Sequence, residues 1–537
     1  MAKILKGEST TFAEYLVMPR LTRKNCTPDK VSLRIPITRY SRKKGRESAQ
    51  IFLNIPYTSA SMQAVTGPKM GIALAQGGGI GFIYCSQPIE KQARMVEQVK
   101  HAKAGFVKAE TLNLEQTVGD ALVKEELTGH STYPIVDSDG RMIGTVNTNY
   151  IGDGNRRTDQ KLSEVMWEFK PKELDAIVNE LNTRNAGPQT IIKAVDEYIP
   201  FAYSGITLKE ANKKLKSLRG KKFLAIINKD GTLDSLVFRQ DIEQHMSHPY
   251  ELVDEQKRYI AAAGINTHDY RQRVPALAEA GVNIMCIDSS DGFTEWQRDC
   301  IRFCKRDYPE IPIVGGNIVT AEAFHYLVKA GADAIKIGMG GGAICITREQ
   351  KGVGRGQAEA VREVCEARDR HYKETGIYIP TISDGGLVNP KDFIVAYGLG
   401  TDAVMCGRIF VGAEESNAPF HPDNKRLKAY WGEGSNRARN WQRYTEGTEG
   451  MKFEEGVDGY VPYAGRLKEN ILDDITARII STMINAGARD IHEFHKKAIL
   501  QHISPLALKE GKAHDILLQT DELGTYTAKN WGLGPGR

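Results

Sequence analysis

The residue best placed for chemistry in this chain is a cysteine set among glycines. The run Gly338-Met339-Gly340-Gly341-Gly342-Ala343-Ile344-Cys345-Ile346-Thr347-Arg348-Glu349 follows the apolar stretch Ala334-Ile335-Lys336-Ile337. Cys345 therefore falls on a glycine-rich turn at the C-terminal end of a strand. Glycines let backbone take positive φ and approach a ligand closely, and α/β barrels carry their chemistry at that end of the strands. A thiol presented there is a nucleophile once ionised; a buried structural cysteine is the competing reading of the motif taken alone. Two further glycine turns end late strands, Ser383-Asp384-Gly385-Gly386 and Cys406-Gly407-Arg408. Backbone amides after the last two strands of a barrel form a phosphate cradle. Arg408 could add a charge-assisted contact to it, and Asp384 is placed to accept from a ribose hydroxyl. Together the turns favour a phosphorylated ligand.

These residues need a scaffold, and the sequence supplies one by repetition. From about residue 250 the chain repeats an amphipathic helix, a glycine and a short apolar strand ending in small polar residues. Residues 274–280, Gly281 and 282–290 make one copy; 321–330, Gly331 and 332–338 make a second; 396–399, Gly400 and 401–408 make a third. The glycine fits a left-handed helix C-cap, and strands apolar throughout read as buried on both faces of a parallel sheet. Further strands are expected over 311–316, 377–383 and 79–84. The fold class is α/β, a (β/α)8 TIM barrel split by an insertion. The insertion carries two strand, Asp-Gly turn, strand patterns, 132–146 and 223–237, which read as hairpins. Each with its helix resembles a cystathionine-β-synthase-type (CBS, or Bateman) module, although 147–204 is longer and more polar than such a pair needs. The expected division is a catalytic barrel over 1–105 and 242–537, with a mobile flap at about 412–466, and an inserted tandem CBS-like regulatory module over 106–241.

Composition bounds the function. The chain has 537 residues, 41% hydrophobic, with a formal charge of +5. That length can bury a large core, and that charge does not argue for nucleic acid. The basic segment 39–46 reads as a solvated loop. Eight cysteines show neither paired CxxC spacing nor a regular framework, so disulfides and structural zinc are not expected. No run of eighteen apolar residues and no leader pattern is present at the start, so the expectation is a cytoplasmic protein with no membrane partner.

Several separated motifs resemble the inosine-5′-monophosphate (IMP) dehydrogenase family over almost the whole length. They are 59–65 (Ser-Ala-Ser-Met-Gln-Ala-Val), 256–259 with 264–267, 288–292 (Asp-Ser-Ser-Asp-Gly), 315–318, the Cys345 loop, 383–386, 430–435 (Tyr-Trp-Gly-Glu-Gly-Ser), 439–444 and 454–457. The resemblance implies oxidation of IMP to xanthosine 5′-monophosphate (XMP) with NAD+ and water, the committed step of guanine nucleotide biosynthesis. It implies Cys345 as nucleophile, Arg443 and Tyr444 as the catalytic pair of the flap, and Thr347 with Glu455 as an auxiliary proton path. For substrate it implies phosphate held by Ala343, Gly385, Gly386, Gly407 and Arg408, ribose by Asp384, and the base by Met62, Tyr430, Gly432, Glu433, Gly434 and Glu455. For NAD+ it implies Asp288 on the ribose, Ser289, Ser290, Asn317, Gly338, Met339 and Gly340 along the nicotinamide side, and His268 with Trp296 about the adenine. A potassium ion would take the carbonyls of Gly340, Gly342 and Cys345, completed by Glu510, Gly511 and Lys512 of a neighbouring subunit. A homotetramer and purine nucleotides at the CBS-like module follow from the same likeness.

The chain departs from the family pattern at Ala343, commonly serine, at His268, where related microbial enzymes can carry arginine, and at Gln63, which replaces a frequent acid. Two rivals remain. A GMP reductase would share barrel and cysteine, and is expected to lack the inserted modules and the Arg-Tyr flap. A catalytically silent purine-nucleotide sensor has no need of Cys345, Thr347, Arg443 and Tyr444.

Overall fold

The structure, a computed structural model, describes residues 2, 4–102, 110–128, 131–150, 158–169, 199–218, 221, 223–239, 248–255, 258–439 and 453–511. Two compact units emerge, one of Met1–Val96, Tyr250–Leu252 and Ile260–Arg537, the other of Glu97–Pro249 and Val253–Tyr259.

Eight strands of the first unit close into a barrel. We label them β1 (Tyr57–Ser59), β2 (Ile80–Ile83), β3 (Ala262–Ile265), β4 (Ile284–Ile287), β5 (Ile313–Ile318), β6 (Ala334–Ile337), β7 (Thr381–Asp384) and β8 (Ala403–Cys406). Every neighbouring pair is parallel, and β8 closes on β1 through Val404 opposite Tyr57. The helices α1 (Pro68–Gly77), α2 (Ile89–His101), α3 (Tyr270–Glu279), α4 (Glu295–Asp307), α5 (Ala321–Ala330), α6 (Gln357–Thr375), α7 (Pro390–Gly398) and α8 (Asp473–Asn485) follow the strands in turn. This is the (β/α)8 arrangement expected from the repeat.

Local chemistry sets these boundaries. The Thr320 hydroxyl accepts from the Ala323 amide to start α5, and Gly331 at φ 113 ends it. Ala323, Phe324, Leu327 and Ala330 form the buried stripe between those caps, the spacing of one helical face. Gly281 and Gly400 also take positive φ, 80 and 109, as the left-handed caps required. Two strand expectations need correction. Residues 377–383 are not one strand: Ile377–Tyr378 pairs antiparallel with Tyr40–Ser41, and the barrel strand begins at Thr381. Pro380 between them has no N–H to donate to a ladder. The same absent donor at Pro312 puts the start of β5 at Ile313 instead of 311. The pairing at Tyr40–Ser41 also makes part of the basic segment strand, where a loop was expected.

In the second unit, Thr132–Val136 pairs with Met142–Asn147 and Phe223–Ile227 with Leu233–Phe238, both antiparallel. Gly140 and Gly231 turn the hairpins at φ 78 and 88. Helices Val118–Thr128 and Leu208–Ser217 precede them, and the turns meet where Leu233 N–H donates to the Gly140 carbonyl at 3.0 Å.

At the foot of the barrel, the buried Asp402 carboxylate accepts from Tyr378 Oη at 2.7 Å, Arg368 Nη1 at 3.0 Å and the Thr381 amide at 2.8 Å. His495 lies against this cluster, its Nε2 2.9 Å from the Thr401 carbonyl. Burial pulls the His495 imidazole down to about 4, against an opposing pull from Asp402. Between about 4 and 6.5 the unfolded chain therefore holds a proton that the folded chain refuses. Stability is full above 6.5 and falls as pH drops toward 4, by about 1.4 kcal/mol per pH unit from this group. Urea denaturation at pH 7 and pH 5 checks it: His495→Gln should flatten that dependence, and an unchanged slope would remove His495 as its source.

Candidate active site

The C-terminal ends of the barrel strands surround one cavity. Cys345, Thr347, Met62, Asp384, Gly385, Tyr430, Gly432, Glu433, Gly434 and Glu455 line it, and so do Asp288, Ser289, Ser290, Asn317, Gly338, Met339, Gly340 and Gly342. The structure thus brings most of the expected site residues to one place. Cys345 is half-buried, while the other seven cysteines are buried, so the expected nucleophile is also the most accessible thiol.

The nucleophile loop is tied down by backbone pairing. Ile346 N–H donates to the Glu455 carbonyl at 3.0 Å and Val457 N–H to the Ile344 carbonyl at 3.0 Å. That short bridge sets two side chains beside the sulfur. The Cys345 thiol donates to Thr347 Oγ1 at 3.2 Å, and Thr347 Oγ1 donates to Glu455 Oε2 at 3.0 Å. Lys351 Nζ stands 3.5 Å from the other oxygen, Glu455 Oε1. Thr347 and Lys351 are four apart on the helix Thr347–Lys351, so one helical turn delivers a hydroxyl and a cation to the same carboxylate. The arrangement is a path along which a thiol proton can leave the sulfur.

On the opposite side, Asp384 ends β7 with Oδ2 accepting from Lys336 Nζ at 3.1 Å and Asn317 Nδ2 at 2.9 Å. Burial works against the Lys336 charge, but Asp384, Cys286 and Asp288 outweigh it and hold the ammonium above the ordinary lysine range. Burial, with Asp384 adding to it, likewise keeps the Tyr430 phenol protonated. Sequence reasoning missed Lys336, which reads as one polar residue inside an apolar strand. Its signal was the odd cation in a run otherwise buried on both faces. Ser61 was missed as well; its Oγ and Asn317 Oδ1 are buried with no protein partner among the described residues, and both residues line the cavity. Such orphaned atoms mark where a polar ligand completes the hydrogen bonding.

Other expected residues do not line the cavity, although a Cβ on Gly407 would lie 2.9 Å from Tyr430 Oη and 3.5 Å from Met62 Sδ, both in its wall. Ala343, Gly386, Gly407 and Arg408 are not in the cavity wall, and the Gly386 amide already donates to the Gly341 carbonyl at 2.9 Å. Burial lowers the Arg408 guanidinium, which Tyr430 partly offsets. His268 is exposed and Trp296 is 72% exposed. Glu510 and Gly511 end the exposed helix Pro505–Glu510. Arg443, Tyr444 and Lys512 lie outside the described residues. The Glu433 carboxylate serves as a strut: Oε1 accepts from the Gln63 amide and Oε2 from the Ser86 hydroxyl, both at 2.6 Å. Gln63 is held further by Trp431 Nε1, which donates to its Oε1 at 3.0 Å. The strut fastens the 59–65 loop to the turn at 431–434, two walls of the cavity.

A closed parallel (β/α)8 barrel with a hydrogen-bonded thiol at its C-terminal mouth is the arrangement of a barrel enzyme. Residues 9–514 match the IMP dehydrogenase / GMP reductase domain, and the chain belongs to that family. It is 44% identical to the inosine-5′-monophosphate dehydrogenase of Tritrichomonas foetus, over 98% of this chain and 100% of the relative. It is 32% identical to the enzyme of that name from Aquifex aeolicus, over 97% and 98%. Among solved structures, the GMP reductase of Trypanosoma brucei in complex with guanosine 5′-monophosphate superposes with a TM-score of 0.75 at 23% identity, covering 95% of this chain and 99% of that one. At that identity the likeness shows the fold alone. It also corrects one expectation: a GMP reductase can match this chain through its inserted region, so the insertion does not separate the two activities. Among the described residues no helix is long and apolar enough to cross a membrane.

Proposed function

We propose that this chain oxidises IMP to XMP with NAD+ and water, the committed step of guanine nucleotide synthesis. The observation that carries the reading is the Cys345–Thr347–Glu455 hydrogen-bonded chain in the cavity wall, together with the IMP dehydrogenase names of the full-length relatives. The thiol proton passes toward Thr347 and Glu455, and the sulfur bonds to carbon 2 of the hypoxanthine as the carbon 2–nitrogen 3 double bond opens and nitrogen 3 takes up a proton. NAD+, when bound, supplies the acceptor for the hydride that leaves carbon 2. The purine is then a thioimidate on Cys345. Water adds to carbon 2, the carbon–sulfur bond breaks, and XMP and the thiol are released.

Asp384 fits the ribose hydroxyls, Met62 and the Gly432–Gly434 backbone fit the base, and Gly385 with Ala343, Gly407 and Arg408 supplies the phosphate end. The cofactor fits the wall made by Asp288, Ser289, Ser290 and Asn317, where the unpaired Asn317 Oδ1 suits a carboxamide N–H donor. His268 and Trp296 offer exposed rings for the adenine. A monovalent cation such as potassium suits the carbonyl donors of Gly340, Gly342 and Cys345, with Glu510, Gly511 and Lys512 of a second subunit completing the set in a homotetramer. Arg443 and Tyr444 are assigned to water activation on the flap by family likeness. The two helix-and-hairpin units are read as a CBS-type pair binding purine nucleotides, and the protein as cytoplasmic.

Absorbance at the NADH band tests the activity. Purified protein given IMP, NAD+ and potassium should raise it. No rise from folded protein would refute the dehydrogenase reading, and consumption of NADPH with GMP instead would establish the reductase.

A further inference from the structure

We propose that Arg348 is the positioning residue of the nucleophile loop, its guanidinium cross-bracing residues 338–355 so that the Cys345 thiol is held at the point of attack. The inference rests on Cys345 being the nucleophile. Between β6 and α6 the chain makes a long excursion, and Arg348 sits in its middle on the helix Thr347–Lys351. Its Nε donates to the Met339 carbonyl at 2.9 Å, at the start of the loop. Its Nη2 donates to the Arg355 carbonyl, at the loop's exit. One planar fork therefore joins entrance, middle and exit, a task suited to the rigid donor geometry of arginine.

The exit is itself anchored. Arg355 Nη1 donates to the Val319 carbonyl at 3.0 Å, and Nη2 to Glu359 Oε1 at 3.2 Å on α6. The brace is thus referred to the barrel frame through Val319 and α6.

Two glycines make room for it. A Cβ on Gly340 would lie 2.4 Å from Arg348 Cγ, and one on Gly354 2.7 Å from the same atom. Both take positive φ, +74 and +148, which L side chains rarely adopt. The atom approached is near the backbone end of the arginine, so it cannot swing aside as a side-chain tip could. The glycines on either side of the cysteine are fitted to the arginine stem as well as to a ligand. Burial lowers the Arg348 guanidinium somewhat, but arginine stays charged in proteins, so the brace persists across the working pH range.

Arg348→Gln, compared with the unaltered protein, tests this by steady-state kinetics, thermal unfolding and amide hydrogen exchange. We expect kcat to fall by about 10²-fold, the scale set by a misplacement near 1 Å, with KM for IMP changed by less than about threefold. Exchange should quicken in peptides from 338–355, with the rest of the barrel unaffected. Gly354→Ala, which keeps the charge and displaces the stem, should give the same pattern and decides the matter if Arg348→Gln does not fold. Unchanged loop exchange, or a lowered Tm with kcat per folded molecule retained, would overturn the proposal. Because exchange needs no substrate, loop loosening in a protein that produces no NADH would sink the proposed activity and leave the brace standing.

Discussion

Cys345→Ala abolishes turnover, by about 10⁴-fold or more, and leaves IMP binding close to that of the unaltered protein. No other thiol can take over. Cys286, Cys365 and Cys406 are fully buried, and burial pushes Cys286 up to about 12 and Cys365 up to about 11. A thiol in that state supplies almost no thiolate at neutral pH. Thr347, two residues on, is a far weaker nucleophile, and its hydroxyl is committed to Glu455 at 3.0 Å. The substrate contacts assigned to Asp384, Met62 and the Gly432–Gly434 backbone do not pass through the sulfur, so binding survives. Titration of IMP by calorimetry beside the NADH assay separates the two. Turnover within tenfold of normal would remove Cys345 from the chemistry.

Asp384→Asn lowers kcat/KM for IMP by about 10² to 10³-fold, because a carboxylate accepting from two hydroxyls forms charge-assisted bonds worth roughly 1.5–3 kcal/mol each. Asparagine keeps the shape and loses the charge. The same change deprives the buried Lys336 ammonium of its partner at 3.1 Å. Breaking a buried pair on one side costs about 3–5 kcal/mol, with the remaining amide oxygen and Asp288 reducing that here. A fall in urea stability of about 2 kcal/mol should therefore accompany the kinetic loss. Retention of IMP affinity within threefold would refute the ribose assignment, whatever happened to stability.

Much of the barrel was legible because its code is local. A capped amphipathic helix, a left-handed glycine and an apolar strand are written within about twenty residues of one another, as at Thr320, Gly331 and β6. The strand limits at Pro312 and Pro380 were misread although the cause, a missing amide donor, is equally local. The apolar run outweighed it in the reading. Cys345 was legible because glycines and a strand end flank it. Lys336 and Ser61 were not, since what distinguishes them is Asp384 on the neighbouring strand in one case and an unpartnered buried hydroxyl in the cavity wall in the other, neither of which sequence spacing contains. At Glu433 the motif offered only backbone to the base, and the role of its carboxylate, spent on Gln63 and Ser86 more than 340 positions away, was not legible. Trp296, in the first turn of α4, and His268, in the loop after β3, were reached through the family likeness and not through spacing, and both are exposed.

The most direct test is a mass measurement. The protein is mixed with IMP and NAD+, quenched in acid during turnover, digested and weighed peptide by peptide. The account predicts that the peptide containing Cys345 alone gains the mass of a covalently attached purine nucleotide, and that the gain disappears when the reaction runs to completion. Active enzyme with no modified Cys345 peptide at any time, or with the nucleotide on a different residue, would contradict it.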